Sequence, residues 1–99
     1  MKEAHCKGST CPITKTAGLL SDTWTMLIAR ALLGSPKKFS ELAGHLEGIS
    51  TRTLTAKLRL LEEEGLVKKS KSGEYGATAK GKALRGILLA MGRYGKKYL

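Results

Sequence analysis

Residues 50–65, STRTLTAKLRLLEEEG, read as a single capped helix, and that helix constrains the rest of the chain. Ser50 offers a hydroxyl that accepts a hydrogen bond from an orphan amide of the first turn. Gly65 offers the left-handed conformation that closes a helix. Between them Leu54, Leu58 and Leu61 recur at i, i+4 and i+7 and form one apolar stripe. At about 100° per residue, Arg52, Thr55, Ala56 and Arg59 fall on the opposite side. A solvated helix usually carries long side chains of both signs there, whereas this one carries two arginines among small residues. Its acids, Glu62, Glu63 and Glu64, come only in the last turn, where they oppose the helix dipole. Local stability does not account for that order. A first half that approaches a polyanion does, with an ordinary surface helix as the alternative.

The flanking segments supply the unit that such a helix needs. Upstream, Ser40 is the expected cap of a short helix, ELAGHL, with Leu42, Ala43 and Leu46 turned inward. Glu47-Gly48-Ile49 is a tight connection to Ser50. Two short helices joined by a Gly-containing turn form a helix-turn-helix, over about residues 40–65, whose second helix enters the major groove. Downstream, the period switches to two. Residues 66–70 and 74–77 read as strands around a Lys71-Ser72-Gly73 turn, a basic hairpin or wing over about 66–78. Lysines on such an edge also block strand pairing.

Before this unit, a polar leader is expected over residues 1–12, then a helix from Ile13 to Leu20 capped by Thr14 or Thr16. Asp22 caps a second helix in which Trp24, Leu27, Ile28, Ala31 and Leu32 follow the buried-face template. Gly34-Ser35-Pro36 ends it, and Lys37-Lys38-Phe39 is a stub of strand. After the wing, Thr78 caps a last helix expected over about 79–98. Leu84, Ile87, Leu88, Met91, Tyr94 and Tyr98 give it a long apolar face. Gly81, Gly86, Gly92 and Gly95 each cost it up to ~1 kcal/mol relative to Ala. So long an apolar face exceeds the need of a small core, so it is assigned to dimerisation. The expected fold class is mainly α with a small β-hairpin, a single winged helix-turn-helix domain over residues 13–99.

Charge narrows the partners. Eighteen Lys and Arg against eight acids leave +10 on 99 residues, a balance that suits nucleic acid, an anionic membrane surface or acidic proteins. No apolar run approaches the ~20 residues that span a bilayer. The first ten residues lack a signal-peptide core, so a cytoplasmic location is expected. Cysteines of such a protein are expected as reduced thiols. His5, Cys6 and Cys11 lack a fourth ligand and the usual spacing, so no metal or other cofactor is expected. His5 and His45 are the only histidines and there is no Gly-rich phosphate loop, so an enzyme is not expected.

The order and spacing of several segments resemble the HxlR-type family of bacterial and archaeal winged helix-turn-helix regulators, with a MarR-like winged helix. Cys11-Pro12 precedes the first helix. Leu20-Ser21-Asp22-Thr23-Trp24-Thr25 is similar to the family's Gly-Xaa-Lys-Trp-Thr, and Leu27, Ile28, Leu32 and Leu33 follow. Phe39-Ser40-Glu41-Leu42 matches Phe-Xaa-Glu-Leu. Ile49-Ser50, Leu54-Thr55 and Leu58-Arg59-Xaa-Leu61 match the recognition-helix pattern, and Gly65-Leu66-Val67 its exit. Tyr75-Gly76-Ala77-Thr78-Ala79-Lys80-Gly81 looks like the Tyr-Xaa-Leu-Thr-Xaa-Xaa-Gly that closes the wing. The wing is several residues shorter than usual, which limits it to the nearest phosphates, and Ala77 replaces a larger aliphatic residue.

The resemblance implies a homodimeric transcription regulator that binds an inverted-repeat site on double-stranded DNA. Lys37, Lys38, Lys57, Lys68, Lys69 and Lys71 would neutralise phosphates, with Ser40, Ser50 and Thr51 adding amide and hydroxyl contacts. Arg52, Thr55, Ala56 and Arg59 would read bases. Cys11 coincides with the N-terminal cysteine with which some members sense oxidants or electrophiles, and inert packing is the other reading of it. Two rival classes remain: a sequence-indifferent chromosomal protein and a winged-helix protein or RNA interaction module. Single-strand RNA binders stack bases on exposed aromatics, and none lies on the expected reading face.

Overall fold

The computed structural model describes residues 10–99. His5, Cys6 and most of the expected leader lie outside the described residues. The elements run α1 (Pro12–Leu19), α2 (Thr23–Gly34), β1 (Lys37–Lys38), α3 (Phe39–His45), α4 (Thr51–Glu63), β2 (Val67–Lys69), β3 (Glu74–Ala77), α5 (Ala79–Lys82) and α6 (Arg85–Tyr98). The three strands form one antiparallel sheet in the order β1-β3-β2. Lys37 faces Tyr75 on one side of β3, and Val67 faces Ala77 on the other. The strand stub thus joins the hairpin as a third strand.

Side chains from α2, α3 and α4 meet in one core, and Leu19 of α1 and Leu88 of α6 pack against it half-buried. Ile28 and Leu32 from α2, Leu42 from α3, and Leu54, Leu58 and Leu61 from α4 pack with Leu46, Leu66, Val67 and Leu84. The α4 stripe is buried to within 1%. Each full burial of a leucine contributes roughly 1.5–3 kcal/mol, so this stripe fixes which side of α4 faces inward. Trp24 and Leu27 are half-buried against the same core.

Local chemistry sets the helix ends, and in three places it differs from the expectation. Pro12 opens α1 with Cys11 in the N-cap position before it, and neither Thr14 nor Thr16 caps the helix. Pro12 suits the first helical position because its missing N–H would be unpaired there anyway, and the Thr16 hydroxyl donates to the Pro12 carbonyl instead. Ser40 does not cap α3. The helix starts two residues earlier, at Phe39 with Lys38 as its N-cap, because the Glu41 carboxylate accepts the Lys38 amide at 2.8 Å. The last helix is broken after Lys82. Thr78 caps α5 through the Gly81 amide, and α6 starts at Arg85. At the break the Leu84 amide reaches the Gly81 carbonyl, a tighter turn than the α-helical one.

The radius of gyration is 14.5 Å, against about 13 Å for a compact domain of this size. The excess agrees with α6, which buries none of its residues. No helix of the described residues is long and apolar enough to cross a membrane.

Candidate nucleic-acid interface

The helix-turn-helix is α3, a turn, and α4. Gly48 takes φ +87° in that turn, a conformation that an L side chain adopts only with strain. Ser50 then caps α4, accepting the Thr53 amide at 3.1 Å, while its hydroxyl donates to the Thr53 hydroxyl at 2.9 Å. Gly65, at φ +75°, turns the chain away at the other end.

Beyond the leucine stripe, two polar anchors hold α4. At its exit, the Lys80 ammonium donates to the Glu64 carbonyl at 2.8 Å and the Thr78 hydroxyl to the Gly65 carbonyl at 2.6 Å. The Thr78 amide bonds the Leu66 carbonyl. A cation on the last carbonyls offsets the dipole that the three glutamates oppose. Near its middle, the Lys57 ammonium donates to the Asp22 carboxylate at 2.7 Å. Asp22 itself caps α2 by accepting the Thr25 amide at 2.8 Å. The bonded Lys57 ammonium, and after it the Thr25 amide and hydroxyl, hold the Asp22 carboxyl below its ordinary pKa, while desolvation acts the other way.

With the stripe inward, Thr51, Arg52, Thr55, Ala56 and Arg59 are all exposed. The first turn of α4 carries no acid. This acid-free face at a helix N-terminal half can approach a polyanion and offer guanidinium forks to base edges. Lys38, Ser40, Lys68, Lys69 and Lys71 are exposed as well. Lys69 lies over the Tyr75 ring, 5.5 Å from its centroid, which steadies one wing cation.

Two cations assigned to phosphates have structural partners. Lys37 is half-buried and its ammonium caps α2, donating to the Ala31 carbonyl at 2.8 Å and to Ser35. Lys57 is bound to Asp22. Sequence reasoning recognised Asp22 as a cap but missed this pair, and missed Lys80 and Arg85 as helix caps. Arg85 donates to the Leu33 carbonyl at 3.0 Å, from 52 residues away. No local spacing signals such bonds.

The residues assigned to a dimer interface do not share one environment. Leu84 lies in the protomer's own core at 6% exposure, and Leu88 packs against that core. Ile87, Met91, Tyr94 and Tyr98 are exposed, and so is Leu89. Ile87 and Met91 border an open apolar groove of about 530 Å³ with Pro12, Ile13, Leu20 and Met26.

Cys11 is buried at 3% and disulfide-bonded. That corrects the expectation of a reduced thiol, which followed from the redox poise of a compartment and not from what surrounds this sulfur. Among the described residues no cluster of His, Cys, Asp or Glu could hold a metal ion.

A capped recognition helix behind a Gly turn, a three-stranded sheet ending in a basic wing, and a helical C-terminus define a winged helix-turn-helix DNA-binding protein. Residues 19–99 match the HxlR-like helix-turn-helix family, and the chain belongs to it. It is similar to the HTH-type transcriptional regulator sll1512 of Synechocystis, 34% identical over 98 residues that cover 93% of this chain and 73% of that protein. The quinone-bound structure of YodB from Bacillus subtilis superposes with a TM-score of 0.81 at 29% identity, covering 89% of this chain and 99% of that one. The redox regulator HypR in its oxidised form gives 0.80 at 27% identity, covering 90% and 98%. The protein is thus a DNA-binding transcriptional regulator of the HxlR type.

Proposed function

We propose that the protein acts in the cytoplasm as a homodimer that binds an inverted repeat on double-stranded DNA in a sequence-specific manner. The observation that carries this reading is the exposed, acid-free face of α4, with Arg52 and Arg59 outward over a fully buried leucine stripe. In this reading Lys38, Lys68, Lys69 and Lys71 neutralise phosphates, aided by Ser40, Ser50 and Thr51. Arg52, Thr55, Ala56 and Arg59 meet the bases. Ile87, Met91, Tyr94 and Tyr98 meet a second copy, whose own α6 and α1 offer the same apolar surface. Two-fold symmetry then sets the half-sites about one helical turn, ~34 Å, apart.

Selection of bound sequences from a random duplex pool at physiological salt tests this. The expected product is an inverted repeat that random duplex competes for poorly. A pool that emerges unenriched, with random duplex competing equally, would instead mark a sequence-indifferent chromosomal protein.

Cys11 is the proposed sensor within the same reading. It caps α1, the helix whose Pro12 and Ile13 border the apolar groove, so a change at its sulfur acts where a second copy would sit. The redox regulator HypR supports the idea by analogy. Affinity for the selected duplex is expected to differ between the fully reduced and fully oxidised protein, and equal affinities would remove the sensor.

A further inference from the structure

We propose that Asp22 and Lys57 are positioning residues for the reading face: the carboxylate at the α1–α2 junction fixes the roll of α4, and with it the aim of Arg52, Thr55, Ala56 and Arg59. This rests on the reading of α4 as the recognition helix. Asp22 stands two residues after Leu20, which caps the end of α1, and it begins α2. Its two oxygens are held by one neighbour. Oδ1 accepts the Thr25 amide at 2.8 Å and Oδ2 accepts the Thr25 hydroxyl at 3.1 Å. Thr25 is 1% exposed, so the carboxylate does not swing without breaking the cap of α2.

The same Oδ2 accepts from Lys57 at 2.7 Å, across 35 residues of chain. It is the one ion pair among the described residues, and both side chains are about two-thirds covered. The rest of the contact beneath α4 is apolar. Leucine contacts decide which side of a helix faces inward, but they are non-directional and resist small rotations weakly. The clamp at Glu64, Gly65 and Leu66 fixes only the C-terminal end. A charge-assisted hydrogen bond is directional, and this one acts within a turn of Thr55, Ala56 and Arg59. Base-edge hydrogen bonds need close alignment, whereas phosphate contacts tolerate a small roll. Loss of the strut therefore lowers discrimination between sequences and leaves the ionic part of binding intact.

The test uses the full chain, the duplex selected above and a random duplex of equal length, each titrated over a range of salt. Asp22→Asn keeps an N-cap acceptor but removes the charge, Lys57→Met removes the ammonium, and Lys57→Arg keeps a cation. Each of the first two is expected to lower the preference for the selected duplex about three- to tenfold. The double variant should lose no more than either single one, Lys57→Arg should retain the preference, and every salt slope should match wild type. Partial unfolding weakens both duplexes alike and does not move that ratio. An unchanged preference in Asp22→Asn overturns the proposal. So does a Lys57→Met variant that weakens both duplexes equally with a salt slope lower by about one, which would make Lys57 a phosphate ligand. If the wild type prefers no duplex, the recognition-helix reading itself fails. Amide exchange then decides the coupling without DNA. Lys57→Met should speed exchange at Thr25 and the last turn of α1, and unchanged rates there exclude the strut.

Discussion

Gly81→Ala is expected to destabilise the protein, although the same change favours an ordinary helix. Gly81 is buried in α5, and a β-carbon there would overlap the Leu66 carbonyl oxygen. That oxygen is fixed because it also accepts the Thr78 amide at 3.0 Å, and Leu66 is 2% exposed in the core. The backbone at the exit of α4 would have to move to admit the methyl group. Overpacking of this kind costs about 1–3 kcal/mol, against a gain of up to ~1 kcal/mol from replacing a helical Gly by Ala. The balance is a net loss of up to about 2 kcal/mol, which at about 4–8 °C per kcal/mol lowers Tm by up to roughly 8–16 °C for a domain of this size. Gly44→Ala is the control, since Gly44 lies in α3 with open space at its β-position. It should be neutral or slightly stabilising. Urea unfolding of the two variants beside wild type measures both. A Gly81→Ala protein as stable as Gly44→Ala would refute the close approach of α5 to the exit of α4, and with it the clamp on that helix.

Lys69→Ala is expected to weaken binding of all duplexes alike and to lower the salt slope by about one, measured by anisotropy titrations at several salt concentrations. Met91→Glu with Tyr94→Glu places two charges on the exposed face of α6 and should give monomers by sedimentation without loss of helix content. Acid should destabilise the protein partly through Asp22. Its folded-state pKa lies below the ordinary 3.8, so between those values the unfolded chain binds more protons than the native one. The contribution is complete above 3.8 and is lost as the pH falls through the folded-state value. The urea midpoint of Asp22→Asn should therefore fall less steeply than that of wild type over this range.

The parts of the fold that sequence made legible are those in which one local rule decides the outcome. The Leu54, Leu58 and Leu61 stripe, the Ser50 cap and the Gly48 and Gly65 turns each follow from spacing or backbone freedom alone, and the structure has them in place. Boundaries were lost where two chemistries compete within a few residues. Glu41 reaches back to the Lys38 amide and starts α3 before Ser40 can cap it. The apolar pattern runs unbroken through Ala83 and Leu84, so the break between α5 and α6 leaves no periodic trace. The largest gap concerns long-range polar bonds. Lys37, Lys57, Lys80 and Arg85 look alike as surface cations, yet each serves a carbonyl or carboxylate of another element. Their roles depend on tertiary placement, which charge counting does not contain.

The central claim is that the outward flank of α4 reads bases. Measuring the affinity of wild type, Arg52→Ala and Arg59→Ala for the selected duplex and for each single-base-pair variant of it tests that claim most directly. At least one arginine variant should lose about 1–3 kcal/mol of discrimination at one base pair of each half-site and keep it elsewhere. If both variants weaken every duplex by the same factor, or weaken none, these arginines contact backbone or solvent, and α4 is not the element that reads the sequence.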